Sequence, residues 1–248
     1  QPITKHRSKV VSHADFFGPR TEKYEKLKQE LSLCFRPVNP APPFFILSPQ
    51  NEGLRVEFEL AVGLTNVFSS TSVGIVTARD ALTLHFTCED AVETAKSFLS
   101  MTPEKARNHF TLGPDSRDWQ VTLAQADLKT QSIRSKDCIQ IAYRPFDNRF
   151  TFYSGKSRGF HCMPRGDNMG HMLTAKNLGL ITARSNKSQS PDHFFCSRFI
   201  SEAKCGESTT QSCLFPLYLG QRDGELSLAV GRRHGFRPEF LRSIAQSL

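Results

Sequence analysis

The sequence predicts an α+β fold, built on a mixed or antiparallel β-sheet with peripheral helices. Two observations lead there. Strand-like runs of apolar and β-branched residues crowd the second half of the 248-residue chain, one pair of them joined by a tight turn, whereas helix-spaced apolar faces lie mainly in the first half and at the very end.

In chain order, Thr21 is placed as the N-cap of a helix over Glu22 to Leu31, with acidic residues early and Lys26 and Lys28 late, as the helix dipole favours. Its apolar face is thin, which makes it a surface helix. Pro37 to Pro43 then forms a proline-rich connector ahead of Phe44-Phe45-Ile46-Leu47. This sets a boundary: residues 1–42 as an N-terminal connector with a helix, residues 43–248 as the main domain. Ser72 to Asp80 runs from a small-residue turn into a short apolar strand ending in the pair Arg79-Asp80.

Glu89 to Met101 places Ala91, Val92, Ala95, Phe98 and Leu99 on one helical face, Thr102-Pro103 opens a second helix through Phe110, and Trp119 to Leu128 adds a further short element. Cys138 to Tyr143 alternates as a half-buried strand does, and Phe150 to Tyr153 does the same, with Pro145 and Asp147-Asn148 supplying the turn. Arg144 and Arg149 therefore stand at strand ends around a basic hairpin tip. Gly166 to Leu173 reads as a methionine-bearing turn or short helix. Asn177 to Thr182, Phe194 to Ile200 and Cys213 to Leu219 read as strands, and Pro238 opens a last amphipathic helix with Phe240, Leu241, Ile244 and Leu248 on one face.

Hydrophobic content of 38% with 10% aromatics argues for a folded chain, and twenty phenylalanines against one tryptophan suggest a core built largely on Phe. No run approaches the roughly 18 apolar residues of a membrane span, and Gln1 to Arg7 lacks the apolar stretch of a signal peptide, so a cytoplasmic protein is expected. The seven cysteines never form a Cys-x-x-Cys pair, which disfavours both a disulfide scaffold and a zinc ribbon. His161-Cys162, His171, His193 and Cys196 are the residues that would have to gather around zinc, and no metal site is expected. There is no Gly-rich loop for S-adenosylmethionine or ATP, so no cofactor is expected in this chain. Asn39-Pro40 with Pro42-Pro43-Phe44 resembles the loop with which amino-methyltransferases hold a flipped adenine, but Ala41 interrupts it, and the stretch is read as a linker.

Charge is unevenly spread. Between Tyr143 and Arg198 nine basic residues face only Asp147, Asp167 and Asp192, so this stretch carries six of the eight net positive charges. Clustered Lys and Arg beside aromatics suit a polyanion, since they neutralise phosphates and stack on or read bases. A solvated basic face is the plain alternative.

The ordered series Val11 to Arg20 with Lys23-Tyr24, Gly74 to Asp80, Tyr143 to Arg149, Pro164-Arg165 with His171-Met172-Leu173, and Asn177 to Ile181 resembles the region that follows the methyltransferase motifs in type ISP restriction-modification enzymes and related single-chain adenine-N6 methyltransferases. The resemblance runs from about residue 10 to residue 248. It implies a target-recognition domain that binds double-stranded DNA sequence-specifically, with methyltransferase, nuclease and helicase domains as partners in a longer polypeptide and S-adenosylmethionine held by that methyltransferase domain. It also implies further helical segments after residue 248.

In a domain of that kind, Arg144 and Arg149 are candidates for DNA contacts, Arg158, Arg165 and Lys187 for phosphates, and Asn148, Asn168 and Asn186 for adenine edges. His171 either contacts DNA or packs beneath its loop. Arg144 and Asp147 could instead pair across the turn and lock it, and Arg79-Asp80 is read as structural. Two other classes stay open. Pro191-Asp192 followed by Glu202-Ala203-Lys204 satisfies the pattern of metal-dependent nucleases, in which two carboxylates hold Mg²⁺ and the lysine positions water. A phenylalanine-rich surface that docks onto a neighbouring domain is the third.

Overall fold

The computed structural model describes residues 10–28, 35–42, 44–173, 176–185, 193–220 and 233–247. The chain divides into two compact units, Gln1–Val62 and Gly63–Leu248.

In the first unit, β1 (Val11–His13) pairs antiparallel with β2 (Arg36–Val38). Between them, α1 (Arg20–Lys28) begins earlier than Thr21 predicts, because the Pro19 carbonyl accepts from the Lys23 amide at 3.1 Å and takes Thr21 into the first turn. A further helix, α2 (Glu52–Leu60), is capped by Asn51, whose side chain accepts from the amides of Gly53 and Leu54. Its apolar residues Leu54, Val56, Phe58 and Leu60 alternate instead of following a helical period, so the sequence pattern does not announce it.

The second unit opens with α3 (Leu64–Val67), β3 (Ser72–Val73) and α4 (Asp80–Thr83), followed by α5 (Cys88–Ser100), α6 (Pro103–His109) and α7 (Val121–Leu128). The run from Ser72 to Asp80 is thus strand only at its start. Ile75 and Val76 make isolated bridges to Glu202 and Met163, Ala78 turns through a left-handed φ of 66°, and Asp80 starts a helix. Thr87 caps α5 by accepting from the Asp90 amide, and Ala91, Ala95 and Phe98 face inward, as the periodicity predicts. Gln125 on α7 ties the end of α5 down by donating to the carbonyls of Phe98 (2.7 Å) and Met101 (3.0 Å). Trp119 is fully buried beside them, its indole N–H bonded to the Phe160 carbonyl. These side chains, with Leu82, Leu112, Leu128, Phe152 and Phe160, form a first hydrophobic core.

β4 (Ile139–Arg144) and β5 (Asp147–Thr151) make the expected hairpin, and α8 (Gly166–Leu173) follows. The remaining strands are β6 (Gly179–Ala183), β7 (Phe194–Ser197), β8 (Ile200–Ser201), β9 (Ser212–Pro216), β10 (Tyr218–Leu219) and β11 (Arg233–His234), and α9 (Pro238–Ser247) is the last helix. They form an antiparallel sheet in the order β3-β9-β6-β7, a three-stranded sheet in the order β5-β4-β8 with β8 parallel to β4, and a small β10-β11 pair. The architecture is α+β, with antiparallel sheets and one mixed sheet. A second core of Ile75, Ile141, Met169, Met172, Ile181, Ile200 and Leu214 joins the two larger sheets to α8.

The junction between those sheets rests on Gly74. Its amide bonds to the Ser212 carbonyl on one side, while Ile75 exchanges bonds with Ser201 and Ala203 on the other. A Cβ at Gly74 would lie 2.3 Å from the Glu202 carbonyl oxygen, so any side chain must part the strands. Gly170, in the middle of α8, has open space where a Cβ would go. Gly74→Ala is therefore expected to cost about 3 kcal/mol or more, and Gly170→Ala to add about 0.5–1 kcal/mol; urea unfolding of the two variants measures both.

Candidate nucleic-acid interface

The hairpin tip is built as a ladder of aromatic rings and guanidinium groups. Tyr143 sits where the β4-β5 register shifts, between Ala142 and Arg144. Arg144 folds back over the Tyr143 ring at 3.8 Å, and Arg149 lies 3.4 Å from the exposed Phe86 ring and 5.3 Å from Tyr143. The order is Phe86, Arg149, Tyr143, Arg144, each cation against an aromatic face.

Three of the four rungs are also tied down by a carboxylate. Arg149 grips Asp147 through two bonds of 2.6 and 2.8 Å, holding that carboxyl below its usual range while its own guanidinium is raised. Arg144 donates to Glu202 at 2.5 Å and to the Tyr143 carbonyl at 2.6 Å. Tyr143 donates its hydroxyl to Asp80 at 2.8 Å, and the other Asp80 oxygen accepts from Thr77. Burial pushes the Glu202 carboxyl up; the Lys204 amide and Arg144 pull it back.

The alternative of a cross-turn pair between Arg144 and Asp147 is thereby corrected. Those residues face each other in the backbone register, yet the carboxylate is taken by Arg149, and Arg144 reaches Glu202. Arg79 is structural, its guanidinium over Trp119 and bonded to the Leu112 carbonyl.

The other candidates fall into three groups. Asn148 and Arg158 are exposed, Arg158 at a left-handed φ of 57°. Arg165, His171 and Asn168 belong to the body of the fold. Arg165 is half-buried, and its carbonyl accepts from the amides of Asn168 and Met169, while His171 Nδ1 accepts from the Gly220 amide. Asn168 is 5% exposed, accepts from Ser70 and donates to the Leu214 carbonyl. An adenine edge cannot reach it, because helix α8 turns that face onto the sheet. Asn186 and Lys187 lie outside the described residues.

Of the nuclease pattern, Asp192 also lies outside them. Glu202 is buried and holds Arg144 and the backbone amide of Lys204, whose side chain is exposed. No group of His, Cys, Asp or Glu among the described residues has the arrangement of a metal site. His161 is buried with Nε2 at 3.1 Å from both Thr151 Oγ1 and the Phe152 carbonyl, and burial lowers its pKa to about 4. The apolar groove of the first unit, about 660 Å³, lies between the proline-rich connector and α2, with Phe44 and Phe58 in its wall.

Residues 66–247 match the family model of the Type ISP C-terminal specificity domain. The chain belongs to that family. Three solved structures share the fold of this specificity domain: a DrdV–DNA complex (TM-score 0.53, 16% identity, 92% of this chain and 23% of the other), the ATP-dependent Type ISP restriction-modification enzyme LlaBIII bound to DNA (0.57, 16%, 90% and 15%), and a nuclease-deletion mutant of the Type ISP enzyme LlaGI with a DNA substrate mimic (0.51, 15%, 88% and 21%). The chain thus spans less than a quarter of the length of each. None of the curated proteins matches it.

Sequence reasoning missed three parts of the specificity domain's ladder: Phe86, and the anchors Asp80 and Glu202 as partners of the hairpin. They stand 63 and 58 residues from Tyr143 and Arg144, and no local pattern links them.

Two outcomes follow from these pairings. Arg144→Ala leaves a buried carboxylate unpaired and is expected to cost about 2–4 kcal/mol, most of it recovered when Glu202→Gln is added; a double-mutant cycle by chemical denaturation measures the coupling. Because the Asp147 pKa is depressed in the fold, the pair's contribution is complete above the ordinary aspartate value of about 4 and fades as pH falls through the depressed one. The Arg149 Nε–H signal in an NMR pH titration should lose its protection in that acid range and not near neutrality.

Proposed function

We propose that the chain binds double-stranded DNA sequence-specifically, as the target-recognition module of a restriction-modification adenine-N6 DNA methyltransferase. The observation that carries this reading is the match of residues 66–247 to a specificity domain, on a chain whose most basic stretch surrounds a rigid, exposed hairpin tip. The DNA in the complexes of DrdV, LlaBIII and LlaGI agrees with it.

The ladder refines the division of labour. Arg144 and Arg149 have their charge matched by Glu202 and Asp147, so they brace the tip more than they neutralise phosphates. Phosphate contacts fall to the exposed Arg158 and, by its charge, to Lys187, and base contacts to Asn148 and Asn186. Arg165 and His171 are half-buried and serve the body of the fold. Methyl transfer and S-adenosylmethionine binding belong to a partner domain of a longer polypeptide or assembly, as do cleavage and translocation. A cytoplasmic location fits the substrate, and no helix among the described residues is long and apolar enough to cross a membrane.

The test is fluorescence anisotropy of the chain with a randomised duplex pool at low and physiological salt, sequencing the bound fraction. An enriched motif is expected, with affinity falling steeply as salt rises. Arg158→Ala should weaken binding to all duplexes alike and reduce the salt slope by about 1, whereas Asn148→Ala should relax one position of the motif. Binding that ignores salt would overturn the reading in favour of apolar docking.

A further inference from the structure

Phe146 stands at the tip of the hairpin, 99% exposed, the most exposed large apolar side chain among the described residues. Its backbone adopts a left-handed φ of 62°, a conformation that suits Gly or Asn and is unfavourable for a bulky residue. Two costs therefore coincide at one position. An apolar ring is left in water, and the backbone beneath it is held where a smaller residue would sit more comfortably. No contact within the described residues compensates either cost, since none of the ring's faces meets another aromatic or a cation.

The ring stands on an unusually firm base. Arg144 and Arg149 flank it in sequence, and both are clamped by a carboxylate and an aromatic face. A tip so braced loses little freedom when its side chain enters a partner, which is what preorganisation contributes to binding. The neighbours Pro145 and Asn148 are exposed, so none of the described residues shields the ring. It is also isolated: the nearest ladder aromatics, Tyr143 and Phe86, have guanidinium groups on their faces, and the tip offers no apolar patch of the kind a protein-docking site needs. A single exposed aromatic on a firm base, within the most basic stretch of the sequence, suits a stack of flat bases.

We propose that Phe146 is a wedge that inserts its ring against a base step of duplex DNA, partly unstacking that step while the clamped arginines hold the tip in place. This rests on the DNA-binding reading above and adds a residue and a mode of contact to it. Such a wedge makes the energy of binding depend on how easily the touched step unstacks, so it contributes sequence preference without a hydrogen bond to any base.

The experiment uses the whole chain, the duplexes enriched from the randomised pool, and the variants Phe146→Asn, Phe146→Leu and Phe146→Trp. Phe146→Asn should unfold at the same or a higher temperature than the parent, because the left-handed position is relieved. Its dissociation constant should nevertheless rise about 5- to 100-fold, the range of one lost base–aromatic stack. Phe146→Leu should lose less, and Phe146→Trp should bind at least as well as the parent. Permanganate should find hyper-reactive, unstacked thymines with the parent chain and not with Phe146→Asn. Equal affinity and an equal permanganate pattern for the parent, Phe146→Asn and Phe146→Leu would overturn the wedge while leaving DNA binding intact. A marked loss of thermal stability in both Asn and Leu variants would also overturn it, in favour of a structural role. Failure of the parent chain to bind any duplex would sink the DNA-binding reading itself, and the wedge with it.

Discussion

The second unit depends on the close approach of Gly74 to the backbone of Glu202. Without a Cβ at residue 74, Ile75 can bond to both Ser201 and Ala203, and its neighbour can bond to Ser212, so one short segment stitches the two larger sheets together. The same approach carries Glu202 into the fold, where it is 7% exposed. A carboxylate buried to that extent needs a partner, because its lost hydration is otherwise uncompensated. Arg144 is that partner, and to reach it the end of β4 must fold back over Tyr143. The shape of the hairpin tip thus follows from a contact between backbones in the core.

This dependence changes how the basic character of the chain should be understood. Charge counted along the sequence treats every arginine as equally available, but an arginine engaged by a carboxylate presents little net field to a phosphate. The two arginines that look most exposed by position are both engaged by carboxylates, Glu202 and Asp147. What the pairs contribute is geometry. A guanidinium stacked between Phe86 and Tyr143 and bonded along its edge to Asp147 has almost no freedom left, so the turn it flanks is held in one conformation.

How much of this was legible depended on the range of the interaction. The hairpin was legible because its turn chemistry and alternation are local, and α8 only as a turn or short helix, because eight residues carry too little pattern to separate the two. The run from Ser72 to Asp80 was legible only in part: its composition is that of a strand, but Asp80 is drawn into a helix start and bonds Thr77 and Tyr143. Helix α2 was hidden by an alternating pattern, and the burial of Asn168 by its place in a polar segment whose inward face only the sheet defines. The family was visible in the order of several weak segments, whereas the partners of Arg144 and Tyr143 were not, because an ion pair and a hydrogen bond across some sixty residues leave no spacing to detect.

A frame held by such long-range pairs separates stability from sequence reading. Residues that brace the tip are fixed by their partners in Asp80, Asp147 and Glu202, so changing one of them disturbs the fold before it alters recognition. Phe146 and Asn148, exposed at the tip, form a second set together with Asn186 and Lys187 from the sequence between β6 and β7: the residues proposed to meet DNA. If base reading resides in the second set, target preference can be exchanged by substitution there without rebuilding the ladder. The arrangement places the constraint on the domain's stability, a buried carboxylate that must meet its guanidinium, apart from a surface that is chemically free to differ.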